Sequence, residues 1–143
     1  MRNTKFRGKS VSNDKWVYGY LVPRSVLEEP HYLEELWIAT GFENECYPVI
    51  KDSVGQFTGL LDCNSKEIYN KDICRWIGNN GYEIVGVIAW EQQACAYWLK
   101  WEDGKSKRYK ELQTTFSDGD IYMNNYFEVI GSTTDTPELL TKK

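Results

Sequence analysis

Apolar and polar positions alternate through most of this chain with the two-residue period of a strand. In 15–22 the rings Trp16, Tyr18 and Tyr20 stand on alternate positions, which share one face of a strand. Ser12, Asn13 and Asp14, which readily bond their own backbone, precede that run. With Lys5, Phe6 and Arg7 upstream, a hairpin is expected. Residues 23–30 break the pattern with two prolines and the adjacent acids Glu28 and Glu29. For 32–40 a helix reaching back to Glu28 would enclose Pro30, at about 3 kcal/mol, so a strand over 36–40 ending at Gly41 is favoured.

Beyond Gly55 the period-two signal sharpens. Strands are expected over 56–61 and 67–69, separated by Asp62, Cys63, Asn64, Ser65 and Lys66, a turn rich in side chains that hydrogen-bond locally. Further strands are expected over 72–77, 82–90 and 95–101. Gly78, Asn79, Asn80 and Gly81 supply turn residues, and Tyr97, Leu99 and Trp101 share one face. Residues 102–120 are polar and read as a long connection with one short helical turn around 108–112. A last strand is expected over 126–131. Thr136 then reads as the cap, and Pro137 as the first turn, of a short helical tail whose Leu139 and Leu140 pack on the sheet or on a partner.

Short antiparallel strands at this spacing imply a sheet that curls on itself. The expected fold is mainly β with little helix: a small SH3-like antiparallel barrel over 56–143, with an N-terminal β segment, 1–55, packed against it. Composition agrees, since aromatics make up 15% of the 143 residues, with six Trp and ten Tyr, and rings suit a pleated surface. No apolar run approaches the roughly 18 residues of a membrane span, and the polar, basic first nine residues do not read as a secretory signal. A cytoplasmic protein is expected, without membrane contact.

Cys46, Cys63, Cys74 and Cys95 match neither paired C-x-x-C metal ligands nor a dense disulfide framework, so half-buried thiols are expected. Net charge is −4, opposite to the footprint of a general DNA binder.

Gln56, Phe57, Thr58, Gly59 and Leu60, with Asp62, Lys66, Glu67, Ile68, Tyr69, Asp72 and Ile73, form a segment that resembles the YopX family of phage and prophage proteins, whose pattern is approximately Q-[YF]-T-G-L-x-D-K-N-G-K-E-I-Y-E-G-D-I. Lys5-Phe6-Arg7 and Trp16-Val17-Tyr18-Gly19-Tyr20 near the start extend the likeness. Phe127-Glu128-Val129-Ile130-Gly131 and Pro137-Glu138-Leu139-Leu140 near the end carry it over nearly the whole chain. Ser65 and Lys71 depart from the pattern where it has glycines. If those backbones need φ > 0, a Cβ there costs on the order of 1 kcal/mol, unless Asn64 takes the left-handed position instead. The resemblance implies an SH3-like barrel in the second half, an N-terminal β segment and self-association. It implies no reaction and no functional residues.

Catalytic chemistry finds little purchase. The single histidine, His31, lies in an irregular stretch, and a general base needs a nucleophile within hydrogen-bonding reach. Of the acid pairs, Glu28 with Glu29 and Glu34 with Glu35 are adjacent and would diverge on a strand. Only Asp118 and Asp120 would converge, and their loop lacks the ligand number a hard cation takes. No catalytic residue, metal or cofactor is assigned. The aromatic surplus is more telling: rings that a small barrel cannot hold face outward, where Tyr, Trp and Arg anchor protein interfaces. Trp76, Trp98, Trp101 and Tyr109 are the candidate partner-binding residues. The expected function is that of a non-enzymatic, phage-derived accessory protein acting through protein–protein contact, as a homo-oligomer or on a host partner. The alternative is a nucleic-acid-associated barrel using 100–110, where Lys105, Lys107, Arg108 and Lys110 adjoin Trp98, Trp101 and Tyr109. Glu102, Asp103 and Glu111 dilute that patch.

Overall fold

A computed structural model describes residues 5–22, 36–41, 45–77, 81, 83–102, 107–111 and 127–141, with 107–111 as backbone. The chain is mainly β and antiparallel, as expected, and divides into two units, Met1–Phe57 and Thr58–Lys143.

In the first unit, β1 (Phe6–Lys9) and β2 (Trp16–Leu21) form the expected hairpin, with Arg7 opposite Tyr18 and Lys9 opposite Trp16. The favoured strand appears as β3 (Leu36–Ala39), and β4 (Cys46–Val49) is a strand the pattern did not signal. The order is β4-β3-β2-β1, with the start of β5 (Gly55–Leu61) beside β1. The end of β4 returns to β1: Ser10 bridges Val49, and the Ile50 N–H donates to the Lys9 carbonyl at 2.8 Å. Ile38 and Val49 are buried inside this curl. Two glycines make the curl possible. A Cβ on Gly8 would lie 2.9 Å from the Val49 side chain, and one on Gly19 would lie 2.0 Å from the Ala39 carbonyl oxygen.

In the second unit, residues 58–61 of β5 lead into β6 (Glu67–Tyr69), followed by β7 (Asp72–Ile77), β8 (Glu83–Glu91) and β9 (Ala96–Glu102). Strands β10 (Lys107–Glu111) and β11 (Phe127–Ser132) complete a five-stranded sheet of order β10-β9-β8-β7-β11. The sheet ends at β10 and β11 and is not a hydrogen-bonded closed barrel among the described residues. Its core gathers Ile68, Cys74, Ile84, Ile88, Leu99 and Phe127, with Val129.

Asp62 ties the β5–β6 turn to that core. It is 1% exposed. One carboxylate oxygen accepts from the Asn64 and Lys66 N–H groups, both at 2.8 Å, and the other accepts from Val129 N–H at 2.9 Å. Asp72, equally buried, accepts from Tyr69 N–H at 2.7 Å. Ser65 and Lys71 do take positive φ, 64° and 75°, so both departures from the glycine pattern carry a Cβ where glycine is favoured. Asn64 does not relieve the strain.

Two local expectations change. Residues 107–111 form β10 against β9 rather than a helical turn, because the exposed edge of β9 offers a complete ladder, Lys107 opposite Glu102 through Glu111 opposite Trp98. The tail is a single 3₁₀ turn, Pro137–Leu140, that Thr136 does not cap. The Thr136 hydroxyl turns instead to the Ser132 backbone, accepting from its N–H at 3.2 Å.

Candidate functional site

Strand alternation gives β8 two unlike faces. Ile84, Gly86 and Ile88 point to the core, and Gly86 is required because a Cβ there would sit 2.5 Å from the Lys100 carbonyl oxygen. Val85, Val87 and Ala89 occupy the opposite face. The β9 register places Trp98 opposite Ala89 and Lys100 opposite Val87, so Trp98 joins those aliphatic side chains, and Tyr97 and Leu99 turn the other way.

A depression of about 900 Å³ lies on this outer face, floored by Val85, Val87, Ala89 and Trp98 and edged by Trp101 and Leu140. The Lys100 ammonium and Glu91 carboxylate pair at 3.0 Å at its polar side. That hydrogen bond holds the Glu91 carboxyl below its usual range, helped by the Gln93 N–H. Further along the same face the character changes to ionic. Arg75 meets Glu83 at 3.5 Å and also hydrogen-bonds Glu128, and these contacts, the Glu128 bond foremost, raise the guanidinium's already high pKa. The apolar trough is thus bounded by ion pairs.

The sequence candidates scatter about this trough. Trp98 lies in its floor; Trp101 lines its edge while packing on the core cluster, and Trp76 packs on that cluster and does not line the trough. Tyr109, Lys107, Arg108 and Lys110 are consecutive or alternate positions of β10: Lys107 and Tyr109 register with Glu102 and Lys100, and Arg108 and Lys110 with Trp101 and Leu99. Lys105, His31, Asp118, Asp120 and the pairs Glu28–Glu29 and Glu34–Glu35 lie outside the described residues. Among the described residues no cluster of three or more metal-ligating side chains occurs, and no helix is long and apolar enough to cross a membrane. All four cysteines are thiols, Cys74 buried and Cys95 exposed.

Val85, Val87 and Ala89 were not singled out by sequence reasoning, whereas Leu140 was expected to pack on the sheet or on a partner and lies at the trough's edge. The signal of the β8 residues was present: in 84–90 both alternating sets are apolar until Trp90, so the outer face of β8 lacks the polar residues a solvated strand normally shows.

The architecture is that of a small antiparallel β protein with an apolar trough on one sheet face. The YopX family model, "YopX protein", matches residues 5–141, so the chain belongs to the YopX family. No curated protein matches. Among solved structures the chain is similar to the crystal structure of protein EF1440 from Enterococcus faecalis. Identity is 19% over 98% of this chain and 99% of that one, with a TM-score of 0.45.

Proposed function

We propose that this protein is a non-enzymatic accessory factor that works inside the bacterial host by protein–protein contact, through the trough on β8 and β9. The observation that carries the reading is the half-buried grouping of Val85, Val87, Ala89 and Trp98 around a depression of about 900 Å³, with the exposed Leu140 at its edge. Open apolar surface of this kind loses its water favourably on contact with another apolar surface, and a Trp within it is the residue type that most often anchors an interface. The flanking pairs Glu91–Lys100 and Arg75–Glu83 supply a polar rim, the arrangement of an interface whose centre is dry.

The occupant is a second copy of the chain or a host protein, and one experiment separates them. Light-scattering mass is read over a range of concentrations for the purified chain, and again after pull-down from nuclease-treated host extract. A mass at a multiple of the chain, reduced to one chain by Trp98→Glu, identifies self-association. A stoichiometric host protein retained by the wild type and lost with Trp98→Glu identifies a partner. A monomer that retains no protein, or assembly indifferent to Trp98→Glu, overturns the assignment of this surface.

A further inference from the structure

The trough's shape and charge narrow what can occupy it, given the contact role proposed above, on which this inference rests. Its floor is Val85, Val87 and Ala89 of β8 with Trp98 of β9. Strand β8 is hydrogen-bonded to β7 on one side and to β9 on the other, so the floor presents side chains and no free strand edge. An extended peptide laid over it would turn backbone N–H and C=O groups toward aliphatic carbon, where they lose water and gain no partner. A helix satisfies those groups internally. The dimensions agree. Neighbouring strands stand about 4.8 Å apart and a helix is about 10 Å wide, so one helix covers β8 and β9 together. From Glu83 to Glu91, the ends of β8, is about 26 Å at the rise of a strand, the length of a helix of about 17 residues.

Charge narrows the choice further. Alternation and register place Glu83, Glu91, Glu102 and Glu128 on this face, with Arg75 and Lys100. Lys100 pairs with Glu91. Glu83 and Glu128 share Arg75, while Glu102 is exposed and in no ion pair among the described side chains. The β10 positions that register onto the face, Lys107 and Glu111, carry one charge of each sign and leave the acidic excess unchanged. We infer that the trough takes an amphipathic helix of a host protein, with its apolar stripe on the floor and Lys or Arg beside that stripe, toward Glu83 and Glu102. Leu140, exposed at the edge, meets the helix's flank. A second copy of the chain fits less well: it brings the same acidic excess on a chain of net charge −4, and like charges across an interface oppose docking.

The test uses the full chain and a surface-displayed library of random peptides of about 17 residues, sorted with the wild type and counter-sorted with Trp98→Glu and, separately, with Leu140→Glu at an exposed position. Binders lost with these variants are expected to carry apolar residues at i, i+3, i+4 and i+7 with Lys or Arg beside them. Their synthetic forms should gain helical circular dichroism on binding. Glu83→Lys with Glu102→Lys, both exposed, should weaken the best peptide at least about tenfold, with unfolding midpoints confirming the fold. Changing that peptide's Lys and Arg to Glu should abolish binding to the wild type and restore it in part on the double variant. Trp98-dependent binders with period-two or acidic patterns overturn this inference and leave the trough's contact role standing. Trp98-dependent dimerisation of the chain does the same, by making a second copy the occupant. No binder, or binders indifferent to both counter-sorting variants, also overturns the inference; the pull-down from host extract then decides separately whether the trough makes contacts, so the two failures are read apart.

Discussion

Asp62 shows how much of the family pattern is turn construction. Its buried carboxylate satisfies three backbone N–H groups, two in the turn and one on β11. Asp62→Ala strands those donors, and each buried unsatisfied group costs about 1–3 kcal/mol. A loss of roughly 3–5 kcal/mol in urea unfolding is therefore expected, with Asp62→Asn intermediate because one of its two acceptors becomes a donor. Ser65 and Lys71 point the other way. Both hold positive φ, so Ser65→Gly and Lys71→Gly should each stabilise the protein, by up to about 1 kcal/mol, read as a higher unfolding midpoint. Cys63 gives a pH signature. Burial, then the Asp62 and Glu128 charges, pushes its thiol above the ordinary value. The folded state therefore retains a proton that the unfolded state releases, so this contribution to stability is present below the unfolded thiol's pKa of about 8.5 and declines as pH rises through the folded value. Cys63→Ser should remove that alkaline decline, measured by unfolding midpoints across the range.

At the scale of elements, most strands were legible because alternation and turn residues coincided. The hairpin β1–β2, strand β3 and strands β5 to β7 each pair a period-two run with a Gly, Asn, Asp or Ser turn, β8 shows as a β-branched apolar run after the glycine and asparagine turn at 78–81, and β9 shows in the alternation of Tyr97, Leu99 and Trp101. Two strands escaped that logic. Strand β4 contains Pro48, which carries no N–H, and composition alone demotes such a segment. It pairs because Ser10, Val11 and β3 offer partners distant in sequence. Strand β10, Lys-Arg-Tyr-Lys-Glu, is built from residues of good helical propensity, and the ladder on β9 overrides that preference. Gly86 marks a close approach of β8 to β9, where a Cβ would lie 2.5 Å from the Lys100 carbonyl oxygen. Gly86→Ala should force β8 and β9 apart and lower stability by about 1–3 kcal/mol, with loss of near-ultraviolet signal from Trp98 and Trp101.

Across the whole molecule, the trough belongs to the second unit, Thr58–Lys143, and every residue that lines it comes from that unit. The sequence revealed that rings exceed what the interior needs, and it marked Trp98. It did not reveal which aliphatic residues complete a surface with Trp98, because that depends on which strand face the core claims, a matter of tertiary packing rather than local pattern.

The turn between β8 and β9 brings an exposed thiol next to the trough: Gln93 and Ala94 line it, and Cys95 follows directly. In air, two such chains can join covalently through Cys95 and imitate a dimer, so mass should be measured with and without a reductant, and a species that disappears on reduction is an artefact of oxidation. The same thiol also offers a native attachment point for an environment-sensitive dye, whose emission would follow the filling of the trough with no substitution made.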